Sequence, residues 1–115
     1  MLSLTPRELH DRVERGEELL LIDIREDNEV AYCPLAGTTH LPMSQLYDWL
    51  EDVALAESSE PAVVVICHHG IRSARVCAML MATGQREVWN LTGGVDRWAA
   101  EVDESMPIYT SRHRL

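Results

Sequence analysis

The stretch ICHHGIRSARV, residues 66–76, combines a nucleophile with groups that attract negative charge. Cys67 follows an apolar run, and Gly70, Arg72 and Ser73 come after it. The thiolate is the reactive form of cysteine, and nearby cations and helix N-termini favour it. The pattern after Ser73 is helical, so the free N–H groups of that helix start should point back toward Cys67. These residue types predict a nucleophilic cysteine inside an anion-binding loop.

The loop itself supplies further donors. If residues 68–73 curl around the sulfur, their successive amides form a nest for an anion, and Gly70 allows the turn. The candidate catalytic residue is therefore Cys67, and the candidate substrate-binding loop consists of His68, His69, Gly70, Ile71, Arg72 and Ser73. The plainer alternative is a buried structural cysteine, which is common among free cysteines.

The remaining cysteines do not form a recognisable set. Cys33, Cys67 and Cys77 are odd in number and lack the spacing of a disulfide framework or a zinc site. Cys77 lies in an apolar helical stretch and is predicted to fill the core. Cys33 is either a packing residue in a loop or a resolving thiol. The adjacent His68 and His69 should diverge, and no second ligand pair stands at zinc spacing, so no metal is expected.

Charge is distributed unevenly along the chain. The net charge of −9 argues against a nucleic-acid partner, and the lack of lysine excludes Schiff-base chemistry and a P-loop lysine. Residues 1–60 hold 14 acidic residues, whereas residues 61–86 hold none but include Arg72, Arg75 and Arg86. The locally positive region around Cys67 indicates either an anion site or simply buried elements that lack acids.

Length and hydropathy predict one domain of 115 residues without a membrane partner. No stretch approaches the roughly 20 apolar residues of a membrane span. The N-terminus lacks a basic start followed by an apolar segment, so the expected compartment is the cytosol.

The hydrophobic pattern alternates between strands and helices. Predicted strands cover residues 2–4, 19–24, 62–66 and 87–91, with a brief strand near His40 and Leu41; predicted helices begin at the Thr5 cap, in residues 25–32, at a Ser44 cap, near Ser73 and near Val95. The central strands are continuously apolar, which is typical of a parallel sheet buried on both faces. Ligands of such sheets bind at the carboxyl ends of the strands, where Cys67 falls.

Asp23 and Arg25 end the first buried strand, so they should lie at the same edge as Cys67. Our preferred interpretation is an ion pair or loop anchor beside the site. A role of Arg25 in substrate binding is the alternative.

Four blocks of sequence occur together: LLLIDIRE, CPLAGTTHLP, AVVVICHHGIRS and VWNLTGGVDRW. In this order and at this spacing they resemble the rhodanese family of sulfurtransferases, over about residues 4–98. The resemblance implies an α/β fold. It also implies a single rhodanese-like domain over residues 1–115, with a core of about residues 4–102 and a C-terminal tail of residues 103–115. It also implies a central five-stranded parallel sheet with helices on both faces.

The resemblance further implies a persulfide on Cys67 and no separate cofactor. The expected donor is a small anionic sulfur compound such as thiosulfate, or another persulfide, and the expected acceptor is cyanide or a thiol, including a protein thiol. Two alternatives remain. One is a protein-to-protein sulfur relay or docking module. The other is a Cdc25-like phosphatase or arsenate reductase, although those have five residues between cysteine and arginine and this loop has four.

Overall fold

The computed structural model describes residues 1–56, 61–84 and 86–109. Strands and helices alternate along these residues in the order β1 Leu2–Leu4, α1 Pro6–Glu14, β2 Leu19–Asp23, α2 Asp27–Tyr32, β3 Thr39–His40, a 3-10 turn Met43–Gln45, α3 Leu46–Ala54, β4 Ala62–Ile66, α4 Ile71–Thr83, β5 Val88–Leu91 and α5 Gly94–Glu101.

All five strands pair in parallel in one sheet, in the order β1-β5-β4-β2-β3. The register sets Asp23 beside both Ile66 and His40, and Asn90 beside Val65. The carboxyl ends of β2, β3, β4 and β5 therefore meet at one edge, directly where Cys67 follows β4. This arrangement confirms the predicted five-stranded parallel α/β sheet.

The central strand β4 contributes to two cores. Val63 and Val65 belong to a cluster with α3 and α4, whereas Val64 and Ile66 belong to a cluster with α1 and α5 on the other face. All four side chains are fully buried. Burying a side chain of this size stabilises a fold by about 1.5–3 kcal/mol, which explains why an uninterrupted apolar run forms the middle of the sheet.

Local capping explains the start of α1 and corrects the prediction for α3. Thr5 caps α1 as predicted, and it forms a reciprocal capping box with Glu8. Ser44 does not cap α3, which begins at Leu46 after the 3-10 turn. Its hydroxyl instead donates to the Glu26 carboxylate at 2.5 Å, and its backbone N–H donates to the same group at 3.2 Å. A carboxylate is a stronger acceptor than a hydroxyl, so it fixes the Ser44 hydroxyl as a donor.

The chain after α5 is the first part of the predicted tail, residues 103–115. Residues 103–109 have no regular strand or helix, but Tyr109 is buried and packs in the cluster of Leu9 and Val95. Residues 110–115 of the predicted tail lie outside the described residues. Within the described ranges, no helix combines the length and the apolar character that crossing a membrane requires.

Candidate active site

The Cys67 sulfur lies inside the loop that joins β4 to α4. Its Sγ accepts hydrogen bonds from the backbone N–H groups of Gly70 at 3.1 Å and Ser73 at 3.4 Å. The thiol donates to Ser73 Oγ at 3.2 Å. Cys67 is only 1% exposed, so the sulfur is sheltered, but the neighbouring peptide groups face it. The loop can therefore stabilise negative charge on this sulfur through its backbone N–H groups.

Helix α4 begins two residues earlier than predicted, and this start orients the donors. Gly70 precedes the helix with φ +88, a left-handed conformation that favours glycine. A Cβ atom at Gly70 would also lie 2.9 Å from Gly93 N. Because α4 starts at Ile71, Ser73 lies in the first turn, where its N–H has no helical acceptor. That free N–H is one of the two that face Cys67.

The N-terminus of α5 holds the other side of the loop. Val95 N donates to Cys67 O at 2.9 Å, and Asp96 N donates to His68 O at 3.1 Å. The carbonyls of Cys67 and His68 thus point toward α5. The N–H groups of Gly70 and Ser73, later in the same loop, point toward the sulfur. Gly94 permits this approach, since a Cβ atom there would lie 2.3 Å from Cys67 O. The TGG segment, residues 92–94, therefore also supports the loop.

Arg72 does not stand free beside the sulfur. Its two terminal nitrogens donate to the two carboxylate oxygens of Glu29, at 2.7 and 2.8 Å. Tyr109 also donates to Glu29, at 2.8 Å. Burial raises the pKa of Glu29, but the hydrogen bonds from Arg72, from the Glu26 backbone and from Tyr109 outweigh it and bring this pKa to about 2. Glu29 is thus a charged anchor that ties α2 to the loop.

Asp23 and Arg25 form a fully buried ion pair at the strand edge. Arg25 Nη2 donates to Asp23 Oδ2 at 2.8 Å and to Cys33 O at 2.7 Å, and Nη1 donates to the Tyr109 hydroxyl at 3.2 Å. Burial lowers the pKa of Arg25, but the hydrogen bond to Asp23 and its charge outweigh this and raise it above its ordinary value. These contacts favour the interpretation of Asp23 and Arg25 as a loop anchor. They occupy the Arg25 guanidinium, which would have to be available if Arg25 bound a substrate.

Tyr109 is one residue of this region that the sequence did not predict. Its ring stacks on His68 with centroids 3.8 Å apart and an angle of 11° between the planes, and it meets Tyr32 edge to face. Its hydroxyl joins Arg25 to Glu29. The available signal was the apolar end of a polar segment, MPIY, in residues 106–109.

His68, His69 and Asp96 bring three possible ligand groups together. The two rings do not diverge as predicted: they stack with centroids 3.7 Å apart, and each imidazole Nε2 lies 3.7 Å from an Asp96 carboxylate oxygen. Burial, with a smaller contribution from His69, lowers the pKa of His68. The expectation that no metal binds stays a prediction.

The two other cysteines are both buried. Cys77 packs in the cluster with α3, as predicted, and burial raises its pKa to about 12. Cys33 lies under the chain after α5, where its thiol donates to Pro107 O at 3.4 Å. Burial raises the pKa of Cys33 as well. Both thiols are therefore held in their protonated form, and this placement favours a packing role for Cys33.

Known proteins resemble this chain both in sequence and in fold. The family model described as the rhodanese-like domain matches residues 5–101. The chain is 30% identical over 96 residues to the thiosulfate sulfurtransferase GlpE of Haemophilus influenzae, covering 84% of this chain and 86% of that protein. The crystal structure of a rhodanese-like domain protein from Staphylococcus aureus superimposes with a TM-score of 0.76 at 27% identity, covering 96% of this chain and 100% of that one.

Other relatives are longer. The chain is 34% identical over 105 residues to the rhodanese-like/PpiC domain-containing protein 12 of Arabidopsis thaliana. This match covers 89% of the chain but only 35% of that relative, and several further curated relatives are covered to about a quarter of their length. In such relatives the shared region is one part of a larger protein.

Gly94→Ala tests the contact between α5 and the loop. A Cβ atom would lie within 2.6 Å of the backbone of Cys67 and His68, and φ is +59, so the loop must shift. We expect a loss of about 1–3 kcal/mol in the free energy of unfolding, measured by urea denaturation, together with slower alkylation of Cys67. Gly16→Ala is the matched control, because Gly16 has φ +80 with nothing within 4 Å. Equal stability and equal alkylation rates in the two variants would contradict the proposed contact.

Glu29→Gln tests the ion pair with Arg72. The folded-state pKa of Glu29 is about 2, below the ordinary value of about 4.3, so its stabilisation is complete above pH about 4.3 and is lost as pH falls toward 2. The unfolding free energy of the wild type should therefore fall more steeply over this range than that of Glu29→Gln. The exposed Glu51 provides the control variant Glu51→Gln. Parallel curves for the wild type and Glu29→Gln would show that the pair contributes nothing.

Proposed function

The chain belongs to the rhodanese-like domain family, and on that premise we propose that it is a sulfurtransferase that carries sulfur as a persulfide on Cys67. The observation that carries the proposal is the pair of backbone N–H groups, from Gly70 and Ser73, directed at Cys67 Sγ. Backbone donors fixed in a sheltered loop stabilise developing charge without having to reorganise during the reaction.

The proposed reaction has two displacement steps. The Cys67 thiol first loses its proton to solvent. The thiolate then attacks the outer sulfur of thiosulfate, the S–S bond of the donor breaks, and sulfite leaves with the electron pair. A thiolate or cyanide acceptor next attacks the outer sulfur of the persulfide, and the Cys67 thiolate departs. The sulfur is carried on the protein itself, so we propose that no separate cofactor takes part.

The donor is proposed to be thiosulfate or another persulfide. Thiosulfate is supported by the name of the GlpE relative. Arg72 supplies positive charge at the loop, but Glu29 already occupies both of its terminal nitrogens. A dianionic donor must therefore rely on the loop amides and the outer edge of Arg72, whose side chain is 33% exposed. We therefore expect Arg72 to attract the donor toward the loop rather than to clamp it.

A protein thiol is the alternative acceptor, and one observation favours it. Ile71, the first residue of α4, is 65% exposed beside the loop, so a protein acceptor that reached Cys67 would also contact this side chain. The expected setting for thiol acceptors of either kind is the cytosol, which keeps thiols reduced.

The phosphatase alternative has less support. The loop from Cys67 to Arg72 has four intervening residues, and its amides already converge on a single sulfur atom. A bound phosphate would need donors for several oxygens at once.

Persulfide formation tests the proposed function. After incubation with thiosulfate and removal of the excess, the intact protein should gain about 32 Da, the mass of one sulfur atom added to the nucleophile, and the Cys67 peptide should carry it. Cys67→Ser should gain nothing, whereas Cys77→Ala should behave as the wild type because Cys77 is buried in the core. A wild-type protein that stays unmodified with thiosulfate and with a small persulfide donor would contradict the proposal.

The same preparation distinguishes the two acceptors. Rapid discharge by cyanide or a small thiol, with release of thiocyanate or a new persulfide, indicates an enzyme that acts on free molecules. Discharge by protein thiols alone indicates a relay.

A further inference from the structure

Asn90 is a buried polar residue on β5 that contacts the loop from the neighbouring strand. It is 9% exposed, in a strand whose other residues are apolar. Its amide nitrogen donates to Gly70 O at 3.2 Å, and its Oδ1 accepts the Ser73 hydroxyl at 2.5 Å. Asn90 therefore binds both residues whose N–H groups face the Cys67 sulfur.

The partners determine which way the Asn90 amide points. Gly70 O is a carbonyl and can only accept, so the Asn90 nitrogen must face it. The Asn90 oxygen then faces Ser73 Oγ, and since this oxygen can only accept, it takes the single hydroxyl proton of Ser73. The proton of Ser73 is thus committed to Asn90 and points away from Cys67.

This commitment affects the two protonation states of Cys67 differently. Ser73 Oγ lies 3.2 Å from Cys67 Sγ and presents a lone pair to it, which suits an S–H group that donates. A thiolate has no proton to donate, so the facing lone pair repels it. If the Ser73 hydroxyl turned to the thiolate instead, Ser73 Oγ and Asn90 Oδ1 would face each other as two acceptors 2.5 Å apart. In either arrangement the thiolate form of Cys67 is destabilised, and the thiol form is not.

We propose that Asn90 is a positioning residue that holds the Ser73 proton away from Cys67 and so disfavours the resting thiolate relative to the thiol and the persulfide. In the persulfide, the negative charge lies on the outer sulfur, and the inner Sγ has neither a proton nor a formal charge. The bond between Ser73 and Asn90 then persists without conflict. The inference rests on the proposed role of Cys67 as the sulfur carrier, and it adds a residue that biases loading toward the persulfide.

Other charged and titratable groups also face the sulfur. Arg72 and Cys77 interact electrostatically with Cys67 from α4, and His68 follows it in the chain. His68 is itself held neutral by burial, which lowers its pKa. All three stay unchanged in the variants below, so their contributions cancel in a comparison with the wild type.

The test is the ionisation of Cys67 in the absence of any sulfur donor. The thiolate is followed by its ultraviolet absorbance as a function of pH, as the difference from a Cys67→Ser version of each protein. Asn90→Leu removes the acceptor and frees the Ser73 hydroxyl to donate to the thiolate. Because a hydrogen bond to a charged group is strong, we expect the midpoint of the titration to fall by about one pH unit.

Two further variants separate this role from a general loss of structure. Asn90→Asp keeps an acceptor for Ser73 and adds a negative charge, so its midpoint should rise above that of the wild type. Ser73→Ala removes the hydroxyl through which Asn90 acts. In the Ser73→Ala background, Asn90→Leu should therefore change the midpoint little, as a double-mutant cycle requires for a coupled pair.

Three results would overturn the inference: a midpoint that is unchanged or higher in Asn90→Leu, an equal shift in the Ser73→Ala background, or a lower midpoint in Asn90→Asp. If Asn90→Leu does not fold, Asn90→Ala, which also removes the acceptor, takes its place with the same expected fall in the midpoint. Persulfide formation after thiosulfate is measured separately. A protein that loads sulfur but lacks the expected titration shifts retains the proposed function without this role of Asn90, whereas failure to load sulfur contradicts the function whatever the titration shows.

Discussion

The orientation of the peptide groups between Cys67 and Ser73 is the constraint on which the site depends. The carbonyls of Cys67 and His68 accept N–H groups from the start of α5, and the N–H groups of Gly70 and Ser73 face the sulfur. Two helix N-termini thus act on one short loop: α5 holds its carbonyls, and α4 contributes an N–H group that faces the sulfur. Together they direct backbone N–H groups at the Cys67 sulfur, in a chain whose net charge is −9.

A row of charged residues, linked by hydrogen bonds, lies beside this loop and holds it through Arg72. Arg25 pairs with Asp23 in full burial, Tyr109 bridges Arg25 and Glu29, and Glu29 holds Arg72. Removing one member of a buried pair leaves an uncompensated charge, which is far more costly than losing a surface pair. The row explains why α2 and the chain after α5, neither of which belongs to the sheet, lie against the loop. It also means that the positive charge predicted near Cys67 is largely balanced by carboxylates.

The sequence predicted the parts of this structure that depend on local patterns. The apolar run AVVVI gave the central strand because burial on both faces leaves no polar positions, and TPRE gave the start of α1 because its capping box is local. The position of Cys67 followed from the rule that ligands bind at the carboxyl ends of parallel strands.

The prediction failed where distant residues decide the outcome. Ser44 looked like a cap, but the Glu26 carboxylate, 18 positions away, takes its hydroxyl. Arg72 was predicted to belong to the anion-binding loop, and no local pattern indicated that it also pairs with Glu29, 43 positions away. Tyr109 and Asn90 carried only weak signals, an aromatic residue in a polar segment and a polar residue in an apolar strand. Their roles depend on tertiary contacts that no local pattern contains.

The most direct test of the account is the amide NMR spectrum of the protein with and without the extra sulfur on Cys67. If the peptide groups of Gly70 and Ser73 face the sulfur that takes up the extra atom, their N–H resonances should shift on loading more than those of other described residues, such as Gly16, which lies just after α1. Loading of sulfur on Cys67 without any change in these two resonances would contradict the central claim.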